Sequence, residues 1–402
     1  MTERVRLGDL ISLQRGTSYK GALVGSPGIP LLGLGTINRN GGFRRENVRQ
    51  YGGDSPEKIS ARAGDIYVSL KDVTHAADLL GAAARVPDDI PFGRLTQDTV
   101  RVDLKSDAVD KGYLYAALLA PDYRRYCRVR GTGTTNLDLS REDFYAFTVR
   151  LPSLMEQRAI SEVLSALDDK IAANINVERL VADLLEKESA SRWFDLEVSQ
   201  SDLVLATDYF DIGVSSGDWG TVRGQAFMEM KNVPESGFGM TTWVERESAT
   251  GPRFVNGDTL VARITPCLEN RKTGFVDFLA DGESAAGSTE LVVVRSKQPL
   301  APPMSYLFAV SDAFRSYAIR HMSGTSGRQR VAAKDLRQFP MPKPDLGWLS
   351  EFGLRSIALF EQSRSLRQEA STLTQMRDTL LPALISGTLR VRDAEKAVEE
   401  VL

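Results

Sequence analysis

The stretch "GTGTTNLDLSREDFYAFTVRLP", beginning at Gly131, returns in outline as "GTSGRQRVAAKDLRQFPMPKP" from Gly324. Both open on Gly-Thr, step through an acid-apolar pair (Asp143-Phe144, Asp335-Leu336) and leave through Phe147 or Phe339 to Pro152 or Pro342. Other landmarks keep the same order at a similar offset. "GDIYVSL" at Gly64 is matched by "GDTLVAR" at Gly257, and "APDYRRYCRVRGTGT" at Ala120 by "VSDAFRSYAIRHMSGTSG" at Val310. A period of about 190 residues is too long for a solenoid and reads as one domain written twice. A chain of 402 residues is also too long for a single compact core. The repeat therefore constrains the fold to two similar globules.

Each copy is rich in short alternating strands and Gly, Asn and Asp turns, with one helical stretch near its end, and each is followed by a long amphipathic segment. After the first copy, Pro152, Ser153 and Glu156 form a helix-start signal of the capping-box kind. Apolar residues then recur at Ile160, Leu164, Leu167, Ile171, Ile175 or Val177, Val181 and Leu184. After the second copy the seam is Leu349, Phe352, Leu359, Leu366, Ala370, Leu373, Met376 and Leu380, with a stop at Pro382 and Gly387 shortly beyond. That spacing, with charges between, is a coiled-coil seam. The expected fold class is α+β: two tandem strand-rich α/β globules, 1–150 and 196–342, each followed by a long helix, 151–195 and 343–402. In a tandem duplication the two helices pair most simply as an antiparallel coiled coil under a pseudo-twofold axis.

The chemistry of a catalyst is hard to find. "LGLGTINRN" has a GxG but no third glycine opening a helix, and no Walker or HExxH motif occurs. Cys127 and Cys267 lack CxxC spacing, and His75 and His321 are isolated, so neither zinc nor a disulfide framework is expected. The cysteine usage fits a reducing cytoplasm, and no apolar run approaches a membrane span.

The net charge of −3 argues at first against nucleic acid. Residues 1–150, however, carry 22 Lys/Arg against 18 Asp/Glu, net +4, while 151–195 carry 5 against 9, net −4. Base concentrates beside the repeated Gly-Thr loops. The first copy offers Arg124, Arg125, Arg128 and Arg130, then Thr132, Thr134, Thr135 and Asn136. The second offers Arg315 and Arg320, then Thr325, Ser326, Arg328, Gln329 and Arg330. Lys71 and Arg263, near the strand ends after the repeated GD turns, are further candidates. Arginines neutralise phosphates and pair with guanine in a fork, and Asn and Gln do the same for adenine. A double-stranded DNA interface is the reading; a coiled-coil adaptor binding proteins is its rival.

The two helices carry a resemblance. "LPSLMEQRAISEVLSALDDKIAAN" from Leu151 and "LRQEASTLTQMRDTLLPALISGTLRV" from Leu366 are similar to the central and closing helices of the DNA sequence-specificity (S) subunits of type I restriction-modification enzymes. The resemblance implies that the globules are target recognition domains reading a split site, with the helices as a ruler between them. It implies no catalysis and no cofactor in this chain. Two methyltransferase (modification) subunits would carry S-adenosylmethionine, and a restriction/translocase subunit would use ATP and Mg2+. A modification-only or phage-exclusion assembly is a related alternative. "LSEFGLRSIALFEQ" lacks the "EQRAI" wording of the first helix.

Overall fold

The computed structural model describes residues 3–74, 76–134, 136–214, 225–247, 250–325 and 327–401. The chain divides into two compact units, residues 1–169 with 373–402 and residues 170–372. Each long helix therefore starts in one unit and ends in the other.

Unit 1 is built on two four-stranded sheets. One is antiparallel in the order Ile11–Arg15, Thr99–Leu104, Ile66–Ser69, Ala83–Arg85; the other runs Gln50–Tyr51, Val24–Leu32, Phe92–Leu95, Ser60–Arg62, with a parallel pair at its centre. The central strand Ile66–Ser69 is buried on both faces, so it reads as an apolar run rather than as an alternation. Tyr67 fills the space between the sheets, its hydroxyl reaching the Thr36 carbonyl at 3.0 Å. Unit 2 repeats the plan. Phe210–Ile212, Leu291–Ser296, Thr259–Ala262 and Thr273–Phe275 form the antiparallel sheet, and Val244–Arg246, Gln225–Met228, Ala285–Gly287 and Arg253–Phe254 the mixed one. The strand pairs closing each unit also correspond, Glu3–Arg6 with Thr148–Leu151 and Leu203–Leu205 with Pro340–Pro342. The duplication legible in sequence is thus a duplication of topology.

The first long helix is Leu154–Ser189 and the second Leu346–Ser386. The Ser153 hydroxyl caps the first through the Glu156 amide at 3.2 Å, but the Glu156 carboxylate turns to Arg150 instead of completing a capping box. Within unit 1, Asp168 meets Arg377 at 2.9 Å. Within unit 2, Lys170 meets Glu369 at 3.2 Å and Glu178 meets Arg367 at 2.7 Å. In unit 2, advancing along the first helix from Lys170 to Glu178 retreats along the second from Glu369 to Arg367, so the segments pair antiparallel there.

The seam differs from the expected one past Ile171. Ile160, Leu164, Leu167 and Ile171 are buried, and Val181 is half-buried, but Leu184, Ile175 and Val177 are exposed, at 56%, 57% and 39%. The buried face continues through Asn174, Ala182, Leu185 and Ser189. The physical reason is that polar groups occupy seam positions and find partners there: Asn174 Nδ2 donates to Glu369 Oε2 at 2.8 Å, and Glu178 takes Arg367. A search for apolar residues alone passes over both and drifts onto the wrong face. In the second helix Leu373 and Leu380 are buried, while Leu359, Leu366 and Met376 are half-buried. That helix also passes through Pro382 instead of stopping there. It ends at Gly387, whose φ of +79° suits the left-handed residue that closes a helix, and whose amide donates to Ala383 O at 3.1 Å. These assignments separate two adjacent leucines. Leu185→Ala should cost about 2–5 kcal/mol in urea unfolding, as a buried leucine does. Leu184→Ala should stay within about 0.5 kcal/mol; equal losses would return the seam to Leu184.

Candidate nucleic-acid interface

The loops singled out in the sequence are hairpins that follow basic helices. In unit 1 the helix Pro121–Arg130 runs into a tight hairpin in which Thr132 and Asp138 exchange backbone hydrogen bonds at 3.0 and 2.8 Å. In unit 2, after the helix Asp312–Arg320, Ser323 and Arg330 make the equivalent exchange at 2.9 and 2.9 Å. The residue after the first bridging position is Gly133, φ +123°, or Gly324, φ +128°. A Cβ at Gly133 would lie 2.0 Å from Asn136 O, so only glycine fits. The true counterpart of Gly324-Thr325 is therefore Gly133-Thr134, not Gly131-Thr132.

The helices ahead of the loops agree side chain by side chain. Tyr126 donates to Asp143 O at 2.7 Å, as Tyr317 donates to Asp335 O at 3.2 Å. Arg130 stacks over Tyr126 at 4.6 Å, and His321 stacks on Tyr317 at 4.0 Å. Arg124 donates to Asp78 O at 2.7 Å, and Arg315 to Glu269 O at 3.2 Å.

That last pair ties two of the candidates into the fold. Arg124 is 3% exposed, with a second bond to Leu80 O at 2.7 Å, and burial pulls its guanidinium below the usual arginine range. Arg315 is also lowered, first by burial and then by Arg271. Both donate to carbonyls of a neighbouring loop. A helical face turns every 3.6 residues, so a run of arginines on one helix cannot all point outward.

The remaining candidates sit at the surface. Arg125 is exposed and pairs with Asp122 at 3.3 Å. Arg128 approaches Asp78 at 3.6 Å and hydrogen-bonds the Asn40 side chain. Arg130 takes Asp143 at 2.7 Å; the bond raises the arginine, and Arg130 followed by Ser140 holds the Asp143 carboxyl below its usual range. Thr132, Thr134 and Asn136 are exposed on the hairpin, as are Arg320, Thr325 and Arg328 in unit 2, with Gln329 half-buried. Thr135 and Ser326, like His75, lie outside the described residues.

An acid in the turn just ahead of a strand, Thr99–Leu104 or Leu291–Ser296, organises each hairpin base. Asp98 lies 3.7 Å from Lys71, which also meets Asp138 at 3.7 Å across the Lys71–Asp72 and Leu137–Asp138 ladder. In unit 2 the acid is Glu290, with Arg330 at 2.7 Å and Arg263 at 3.7 Å. Sequence reading missed Arg39, Asn40 and Asp78. Asp72, fully buried, accepts from Thr74 and from the Leu79 amide at 2.7 Å, and the Asp78 carbonyl takes the Asn40 amide at 2.8 Å. Arg39 pairs with Asp78 at 3.9 Å and is 70% exposed. Only the "NRNGG" turn signal was visible in sequence, with nothing to link it to the arginine helix.

Arg125 and Arg130 are thus each held by one carboxylate at the surface and Lys71 by two, and a surface ion pair is worth about 0–1 kcal/mol. Exchanging such a carboxylate for a phosphate costs little. Among the described residues no cluster of three or more His, Cys, Asp and Glu side chains is placed to hold a metal. Burial pushes the Cys127 thiol up to about 11, away from reactivity. No helix is long and apolar enough to cross a membrane.

Residues 2–179 match the family described as "Type I restriction modification DNA specificity domain", the family that the two helices resemble. The EcoAI specificity subunit of Escherichia coli is 28% identical over 147 residues, 36% of this chain and 25% of its own length. The EcoEI specificity subunit of the same organism is 27% identical over 151 residues, again 36% and 25%. The matched stretch thus spans about a quarter of these curated relatives. The crystal structure of a type I restriction-modification S subunit from M. genitalium is similar over 96% of both chains, with a TM-score of 0.59 at 16% identity. That likeness extends the shared fold to the second copy.

Proposed function

We propose, from the match of residues 2–179 to the type I restriction-modification DNA specificity family, that this chain is a non-catalytic specificity subunit reading a split double-stranded DNA site. Residues 1–150 and 196–342 are its two readers, and 151–195 and 343–402 its helical connections. The observation that carries the reading is the paired construction of the two hairpins. Each carries a positive-φ glycine after its first bridging residue, is set beyond a tyrosine-braced basic helix, and is based on an acid in the turn ahead of a strand, with exchangeable cations. Methyl transfer and cleavage belong to partner subunits: two methyltransferase subunits with S-adenosylmethionine, and a restriction/translocase subunit with ATP and Mg2+, in the cytoplasm.

Domain exchange tests this. Replacing residues 1–150 by the matching domain of another specificity subunit should change one half of the sites that the complex selects from a random duplex pool, and leave the other half and the spacer alone. A folded chimera that changes both halves, or neither, overturns the reading.

A further inference from the structure

The two units differ at one turn, and the difference is electrostatic. In the mixed sheets, Leu31 lies beside Arg94 and Phe227 beside Ala286 in corresponding parallel pairs. Each strand then leads into a single 3-10 turn, Leu34–Thr36 or Met230–Asn232. Counting on from these, Asn38, Arg39, Asn40 and Gly41 correspond to Pro234, Glu235, Ser236 and Gly237. Both glycines have positive φ, +117° and +71°. Arg39 in unit 1 thus stands where unit 2 has Glu235. The partners are inverted as well: Arg39 faces Asp78 at 3.9 Å, and Glu235 faces Lys272 at 3.8 Å.

The unit 1 turn is rigidly built. The Asn38 amide donates to Gly42 O at 2.8 Å, Gly41 to Asn38 O at 3.0 Å, Asn40 to Asp78 O at 2.8 Å and Gly42 to Ala83 O at 2.8 Å. Arg128 binds the Asn40 side chain, tying the turn to the helix that carries the hairpin. A long cation on a fixed backbone is the arrangement that base reading needs, since a fork must meet two acceptors at once. Releasing Arg39 from Asp78 also leaves no unpaired charge, because Arg128 still faces that carboxylate.

Resting on the reading above, the geometry points to the Asn38–Gly42 turn as a DNA-contacting element of unit 1. Arg39 is its specificity-determining residue, placing its guanidinium on O6 and N7 of a guanine in that unit's half-site. Unit 2 has no counterpart, because an exposed carboxylate at position 235 repels phosphate. The two half-sites are therefore read by unequal sets of contacts.

The test uses the full chain with its co-purifying subunits and a pool of random duplexes, sequencing what binds. Arg39→Ala should cost one guanine position in one half-site about ten- to a hundredfold of its preference, with the other half-site unchanged. Arg39→Lys should lose the same preference while keeping the salt dependence. Glu235→Ala should change neither half-site. Arg39 is largely exposed, so the unfolding midpoint should not move. If Arg39→Ala weakens all sequences alike, or changes nothing, while the wild type still selects a split site, the inference fails and the function stands. If Glu235→Ala relaxes a position, the asymmetry fails. If the wild type selects no sequence, the functional reading fails, and this inference with it.

Discussion

Replacing Arg367 by alanine destabilises unit 2 by about 3–5 kcal/mol, the cost of leaving buried charge without its partner. Arg367 is 9% exposed and bridges two carboxylates, Glu178 at 2.7 Å and Asp277, with the Phe238 ring 5.2 Å from the guanidinium. Both carboxyls are raised, first by burial, while Arg367 pulls them down. The sign follows from proton counting. A carboxyl raised in the folded state binds more protons folded than unfolded, so its stabilising contribution is present at low pH and fades as pH rises through the folded value. Removing Arg367 raises both carboxyls further. The stability deficit of Arg367→Ala, read from urea midpoints, should therefore be larger at pH 8 than at pH 5. A deficit independent of pH would mean that Arg367 acts by packing alone. Arg367→Lys keeps the charge but loses the fork and should fall between the two.

The second large effect is on DNA. If the exposed cations of both units engage about 6–10 phosphates, affinity for duplex DNA should fall about 10³–10⁵-fold between 50 and 200 mM salt, because bound phosphates release counterions. Each surface pair yields its cation cheaply, so the acids beside Arg125, Arg130 and Arg330 do not prevent this. Arg125→Ala should reduce the slope of log affinity against log salt by about one if it meets phosphate. Arg124→Ala should instead lower the unfolding midpoint by leaving the Leu80 carbonyl unpaired and the Asp78 carbonyl with the Asn40 amide alone, about 1–3 kcal/mol. Binding that hardly responds to salt would favour a protein adaptor over a DNA reader.

These two predictions mark where sequence and structure divide. The duplication, the pair of long helices, and the basic character of the helix-to-hairpin segments were legible in the chain itself. Repeats, periodicity and turn glycines are local or self-referential patterns, and burial writes them directly into residue order. Glycines mark the loops, although only the structure shows that Gly133 and not Gly131 takes the positive φ. The tertiary structure alone decided which charged residues are free. Arg124 and Arg125 are neighbours of the same type, yet one clamps two carbonyls of a loop about 45 residues earlier and the other meets water. Asn174 and Glu178 hold seam positions because Glu369 and Arg367 come to meet them from nearly 200 residues away. Arg39 joins the arginine helix only through Asp78 and Asn40. A polar side chain is buried or exposed according to the partner that desolvation obliges it to find, and when that partner is distant in the chain its identity is set by the packing of the folded protein.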